Sequence, residues 1–359
     1  GLIKTASNNV PRVDFLDNAD GALLLEPART NLIQYSDFTS VWTNSANITN
    51  NTVTSPQGIQ NANTLLKNGA YTATSYILAS GVASGQIGVF SVFAKKNTTN
   101  IVGIRLASGS GASDIRKNIN LDTGEITDGA AGNQVGFISL EKEDFGNGWY
   151  RLKLKGTSSG SDNVCSLYAG EIGTTTNDGE IYIYGAQLEA GSYATSYIPT
   201  SGSTVTRVAE SCLGAGNDQV INSSEGVWFY QMSTPDAQLK ITRISDGTSS
   251  NFIILYSLNA NKMRVVIVIG GNAQFSFEAP VTLTNMNKFA VRWNGIDYSY
   301  FVNGVNVANG TGISFPIDTL NNVSFANEAG IYPFEGNVKD LRVYNTALTD
   351  AELATLTTT

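Results

Sequence analysis

The sequence predicts an all-β protein built as two tandem β-sandwich (jelly-roll) domains. Three observations carry that expectation. The chain has 359 residues, about twice an ordinary domain, so two units of roughly 150 to 180 residues are the default. Strand and turn signals recur at intervals of about 8 to 12 residues, the spacing of sandwiches and barrels. Hydrophobic residues supply 42% and charged residues 14%, with 36 glycines, a profile of strands joined by polar turns that is too apolar for disorder.

In chain order, residues 1–30 read as an extended N-terminal segment around Pro11 and Pro27, because a residue before proline is pushed out of the helical region. Residues 31–208 form the first domain, with strands in IGVFSVFAKK, NIVGIRLAS, YRLKLKGTSS and EIYIYGAQLE. Several of these alternate apolar and polar residues, as a strand with one buried face must. The stretch from Ser201 to Gly226 is small and polar, which places a linker at 209–221. Residues 222–359 form the second domain, with strands in NFIILYSLN, KMRVVIVIGG, KFAVRWNG, DYSYFVNGVNV and NVKDLRVYN. The one helical signal is LTDAELATL, where Thr349 or Asp350 supplies the N-cap. Trp149, Trp228 and Trp293 sit inside alternating strands and are read as core. Cys165 and Cys212 lack CxxC spacing and make neither a zinc site nor a redox pair. Two separate buried thiols are one reading, and a disulfide between them is the alternative.

Charge and chemistry exclude several functions. The formal net charge of -8 offers no basic footprint for nucleic acid and is repelled by anionic headgroups. No stretch approaches 18 uninterrupted apolar residues, so no membrane insertion is expected. The chain contains no histidine, which removes the commonest general base and the commonest zinc ligand. A glycosidase needs only two carboxyl groups about 5 to 9.5 Å apart. The carboxylates of the second half are scattered, and the nearest grouping, Glu141, Glu143 and Asp144 before a glycine turn, reads as solvated turn charge. No glycine-rich phosphate loop occurs. The expectation is a binding protein, not an enzyme, with no cofactor required.

Two sets of segments resemble known families. NVPRVDF, GALLLEPARTNLI, DFTSVWTN, SPQGIQNANTLLK, FSVFAKK, NLDTGEI, FGNGWYRLKLKGTSS and GAQLEAGSYATSYIPTSGSTVTR, over residues 8–208, resemble bacteriophage tail-fibre and head-spike structural proteins. That resemblance implies a jelly roll similar to carbohydrate-binding modules, with a further strand-forming segment upstream. GVWFYQMSTPD, KFAVRWNGIDYSYFVNGVNV and FEGNVKDLRVYNTALTDAEL, over residues 222–359, resemble laminin-G-like, concanavalin-A-like lectin sandwiches. That group holds lectins, adhesion modules and glycoside hydrolases, so fold alone does not choose the activity.

Together the resemblances imply a virion-surface or extracellular adhesion protein, a tail fibre, head fibre or spike, that recognises host-surface glycans. One alternative is a structural virion decoration or fibre segment that binds other capsid or tail proteins; another is a polysaccharide depolymerase. Loop aromatics outside the shared motifs are the candidate sugar contacts: Tyr71, Tyr332 and Phe334, with Trp42 beside them. Tyr193 and Tyr197 match the family pattern and are expected to tie the end of the jelly roll. Modules of both groups often hold a structural calcium, for which Asp37, Glu189, Asp246 and Asp340 are candidates; turn capping is the alternative role of these residues. Phage fibres and spikes imply a homotrimer, assembled without a coiled coil because no long heptad run is present.

Overall fold

A computed structural model describes residues 3–7, 10–15, 19–43, 47–67, 75–173, 179–236, 238–259 and 261–359. The structure is almost entirely antiparallel sheet, as expected, and separates into two compact units. One holds Ala28–Val208 with the residues up to Thr5; the other holds Ala6–Pro27 and Ala209–Thr359.

The first unit is a sandwich of two sheets. The six-stranded sheet runs Phe137–Gly146, Trp149–Thr157, Ile87–Lys96, Gly179–Ala190, Gln60–Lys67, Ile48–Thr54. The five-stranded sheet runs Ile126–Asp128, Asp114–Asn120, Ile101–Ser108, Asp162–Ala169, Ser75–Ser80. Alternation decides the faces. In Ile87–Lys96, Phe90, Val92 and Ala94 point into the core with Ile104, Leu152 and Leu167. Phe93 points the other way and packs edge-on against Phe145 and Tyr197, where the Tyr197 hydroxyl bonds Ser36 at 2.7 Å. Tyr197 thus ties the end of this unit to the loop at Ser36.

In the second unit a seven-stranded sheet runs Val13–Asp14, Ala22–Leu25, Gly336–Tyr344, Glu225–Ser233, Asn287–Asn294, Asp297–Val302, Val305–Thr311. It faces a five-stranded sheet of Asn272–Pro280, Lys262–Ile269, Phe252–Asn259, Ile241–Ser245 and Asn322–Ser324. Trp228, Tyr230, Trp293 and Tyr300 fill the core between them. The Asn303-Gly304 hairpin has both residues at positive φ, the turn whose twist matches that of its strands. The helix Asp350–Thr357 starts at Thr349 in a capping box with Glu352 and lays Leu353 on Val227, Phe229, Ala290 and Phe301, outside the seven-stranded sheet.

The N-terminal segment is extended and, beyond that expectation, paired into sheets. Ala22–Leu25 pairs with the last strand, Leu23 opposite Val338 and Leu25 opposite Gly336, and Arg29–Asn31 pairs with Val205–Arg207. Leu25 is buried and Leu23 and Leu24 are half-buried in this strand, whose partner lies more than 300 positions away. The expected linker is also partly structural: Ile221 is core, and Ala215 bridges Val323. The chain therefore leaves the second unit near Glu26 and re-enters near Glu210. There Glu210 N–H donates to Glu26 O (3.0 Å), Glu26 N–H donates to the Glu210 carboxylate (2.7 Å), and Arg12 pairs with both carboxylates.

Candidate functional site

The second unit carries a polar groove of about 570 Å³ on the outer face of its seven-stranded sheet. Register builds it. Arg292 stands opposite Ser299, and Ser299 opposite Asn309; Asn294 stands opposite Asp297, and Asp297 opposite Thr311. Two adjacent cross-strand rows thus present only polar side chains, while the next row, Ala290 and Phe301, is covered by the helix. Arg292 is locked: Nη1 donates to Leu348 O (2.9 Å) and to Asp350 Oδ1 (2.6 Å), and Nη2 to Ser299 Oγ (2.6 Å). By contrast, the side chains of Asn294, Asp297 and Thr311 make no hydrogen bond among the described residues, and Asn309 only accepts one, from Asn306 (3.0 Å). The groove offers unspent donors and acceptors around a fixed guanidinium, with one positive and two negative charges.

The sequence-nominated aromatics lie elsewhere. Tyr332 is 49% exposed at φ 57°, in the loop whose carbonyl accepts from Ile241 N–H. Phe334 is 2% exposed and packs against Tyr230 and Phe325. Trp42 is 3% exposed, tilted on Phe38 at 4.6 Å, with Nε1 donating to Tyr35 O (2.8 Å). Enclosed rings present no face to a sugar, so Phe334 and Trp42 are corrected from ligand contacts to core. Tyr71 lies outside the described residues. Trp149, Trp228 and Trp293 are buried as expected, and both cysteines are free thiols, the Cys165 thiol raised well above its ordinary value by burial.

The four calcium candidates are not brought together. Asp37 caps Thr39 (2.8 Å to its hydroxyl), and Glu189 is buried against Thr195 (3.0 Å to its N–H). Asp246 accepts from Thr248 N–H (2.7 Å) and Asn251 (2.8 Å), and Asp340 pairs with Arg342 (2.6 Å). Among the described residues no three His, Cys, Asp or Glu side chains converge, so the donor set does not fit a calcium cage. Glu143 is paired with Lys153 (2.9 Å), and Asp144 caps its turn at Gly146 (2.7 Å).

A second opening is apolar. Ala22–Leu25 covers the Gly336–Val338 end of the last strand, and beyond it lies a notch of about 420 Å³ lined by Leu23, Val220, Ile221, Phe325, Leu341 and Val343.

The second unit is thus a two-sheet sandwich with polar rows and a packed helix on one outer face. Residues 222–354 match the laminin-G family model described as "Concanavalin A-like lectin/glucanases superfamily". No curated protein matches the chain. Among solved structures, the chain is similar to the Ruminococcus gnavus IT-sialidase CBM40 bound to alpha2,6 sialyllactose, at 20% identity over 41% of this chain and 96% of that one, TM-score 0.32. It is similar to domains LG4-5 of the mouse laminin alpha1 chain at 11% identity over 79% and 90%, TM-score 0.29. It is also similar to a putative carbohydrate binding protein from Bacteroides ovatus at 11% identity over 78% and 77%, TM-score 0.30.

Proposed function

We propose that this is a non-catalytic adhesion protein of a virion surface that recognises host-surface glycans through the polar groove of its second unit. The observation that carries the reading is the pair of cross-strand rows whose Asn294, Asp297 and Thr311 side chains have no hydrogen-bond partner among the described residues and whose Asn309 amide keeps its donors free of them. Unpaired amide, carboxylate and hydroxyl groups side by side are what a polyhydroxylated ligand needs. Each hydrogen bond contributes about 0.5 to 1.5 kcal/mol net, so single sites bind weakly and many copies make adhesion. The virion placement rests on the resemblance over residues 8–208. The lack of histidine supports binding without bond cleavage.

The test is a glycan array followed by titration of the best binder. Asn294→Ala and Asn309→Ala each weaken binding about twofold to tenfold with an unchanged melting temperature, and the chain length of host polysaccharide stays constant on incubation. An array without binders, or a binder indifferent to both substitutions, overturns the groove; shortened polysaccharide revives the depolymerase reading. The apolar notch beside the half-paired last strand favours a second reading, a fibre or decoration segment docked on other virion proteins.

A further inference from the structure

The polar groove of the second unit ends in an apolar lip. At one end the helix closes it, since Leu353 covers the row of Ala290 and Phe301. At the other end, just past the row of Asn294, Asp297 and Thr311, stand Ile296 and Ile313, 54% and 53% exposed. Ile296 is in the turn that joins Asn294 to Asp297, and its carbonyl accepts from Gly312 N–H (2.8 Å). A Cβ on Gly312 would meet the Tyr298 ring at 2.9 Å, and Tyr298 is core, so that position faces inward. Alternation then turns Ile313 to the outer side with Thr311, about 7 Å further along the chain. The Tyr298 hydroxyl donates to Ile313 O, which pins the lip from beneath.

The chemistry changes across that boundary. Asn294, Asp297, Asn309 and Thr311 are all exposed. Among the described residues, Asn294 keeps an amide donor and an amide acceptor without a partner, and Asp297 keeps its carboxylate open. Arg292 is engaged by Leu348, Asp350 and Ser299, so the charge the groove leaves open is negative. Scattered apolar side chains on a surface are ordinary. Two held beside each other at the mouth of a polar groove are placed to cover the apolar part of a ligand whose polar part the groove bonds.

We infer that the groove selects neutral sugars that carry an acetamido group, an inference that rests on the groove being the glycan site. An acetamido group offers one N–H, one carbonyl and one methyl. Its polar atoms meet the Asn294 amide, its methyl lies on Ile313 and Ile296, and the ring hydroxyls donate to Asp297 and pair with Thr311 and Asn309. A plain hexose leaves the lip in water, and a sugar acid meets the Asp297 carboxylate as a like charge.

The test titrates the whole protein with trisaccharides of a 2-amino-2-deoxyhexose, N-acetylated or N-formylated, and with the parent hexose trisaccharide, each in gluco and galacto form. The formyl probe keeps the amide and loses only the methyl. In the preferred configuration the acetyl probe is expected to bind about threefold to fivefold more tightly than the formyl probe, the effect of one buried methyl, and the formyl probe more tightly than the hexose. Oxidation of the acetyl probe's primary alcohols to carboxylates weakens it. Ile313→Ser abolishes the acetyl-over-formyl preference with the formyl affinity and the melting temperature unchanged; Ile296→Ser reduces the preference and serves as the second variant if Ile313→Ser misfolds. Asn309→Ala weakens every probe alike, which reports on the groove itself. Equal binding of the acetyl and formyl probes, or tighter binding of the oxidised one, with all of them weakened by Asn309→Ala, overturns this inference and leaves the groove as the glycan site. Absence of binding by every probe and by a glycan array, or binding indifferent to Asn309→Ala, overturns the groove and this inference with it.

Discussion

At the scale of single residues, side chains of one type have opposite roles according to where the backbone aims them. Phe334 and Tyr332 are two positions apart, yet one is core and the other solvent-facing. Phe334→Ala is expected to cost about 3 to 5 kcal/mol, the usual range for an aromatic removed from a packed core, measurable as a fall in the denaturant midpoint with no specific effect on glycan binding. Tyr332 sits in the left-handed region, where a side chain costs of order 1 to 2 kcal/mol; Tyr332→Gly should therefore leave the melting temperature unchanged or raise it. Asp114 gives a pH signature. Burial alone raises its carboxyl, but the bonds and charges of Arg105 and Arg116 outweigh that and hold its folded-state pKa below the ordinary value. Its contribution to stability is therefore full above about pH 4 and is lost as pH falls through the lower, folded value. Asp114→Asn should flatten that acid limb in thermal melts between pH 5 and 2.

At the scale of elements, the alternating strands were legible in the sequence because a half-buried strand must alternate. IGVFSVFAKK and KFAVRWNG lie in the strands Ile87–Lys96 and Asn287–Asn294, and the capping box of the last helix is visible in LTDAEL. Residues 22–25 escaped because ALLL has no alternation to declare a face, and nothing local names a partner at 336–338. The groove escaped for a related reason. Arg292, Ser299 and Asn309 come from three strands, and only register makes them neighbours; in the sequence their amides and hydroxyls look like ordinary outward strand positions. The short N-terminal strand is the element whose contribution is easiest to measure. Leu25 is buried in the second core, and Leu25→Ala should cost about 2 to 5 kcal/mol, read as a lower melting temperature of the second unit.

At the scale of the whole molecule, the order of the two units along the chain is not simply tandem, since Ala6–Pro27 and Ala209–Thr359 group together around the intervening Ala28–Val208. A protease nick in residues 209–221 is therefore expected to leave two fragments that remain associated through Ala22–Leu25 on native gel filtration; fragments that separate freely would mean the strand contributes little. The proposed multivalent adhesion also fixes an assembly expectation. Light scattering should give about 114 kDa, three times 38.1 kDa, for a homotrimer, whereas 38.1 kDa at all concentrations would leave multivalency to the particle that carries the chain.

The pairing of Ala22–Leu25 with the start of Gly336–Tyr344 has a mechanical consequence. Leu25 lies opposite Gly336 and Leu23 opposite Val338, so the N-terminal chain and the continuing C-terminal strand leave this ladder from the same end. Ile3 must first give up its backbone bond to Pro56 and its packing on Phe93 and Trp149, Val13–Asp14 must leave Ala22–Leu23, and the C-terminal helix must leave Val227 and Phe229. Tension along the chain then loads that ladder like a zipper, one bond at a time, and not in shear. The intervening first unit bears no load until the zipper has run to Leu25 and the Glu26–Glu210 clasp has opened. Single-molecule pulling should thus record a small low-force step, the loss of Ala22–Leu25 from the second sandwich, before any large extension.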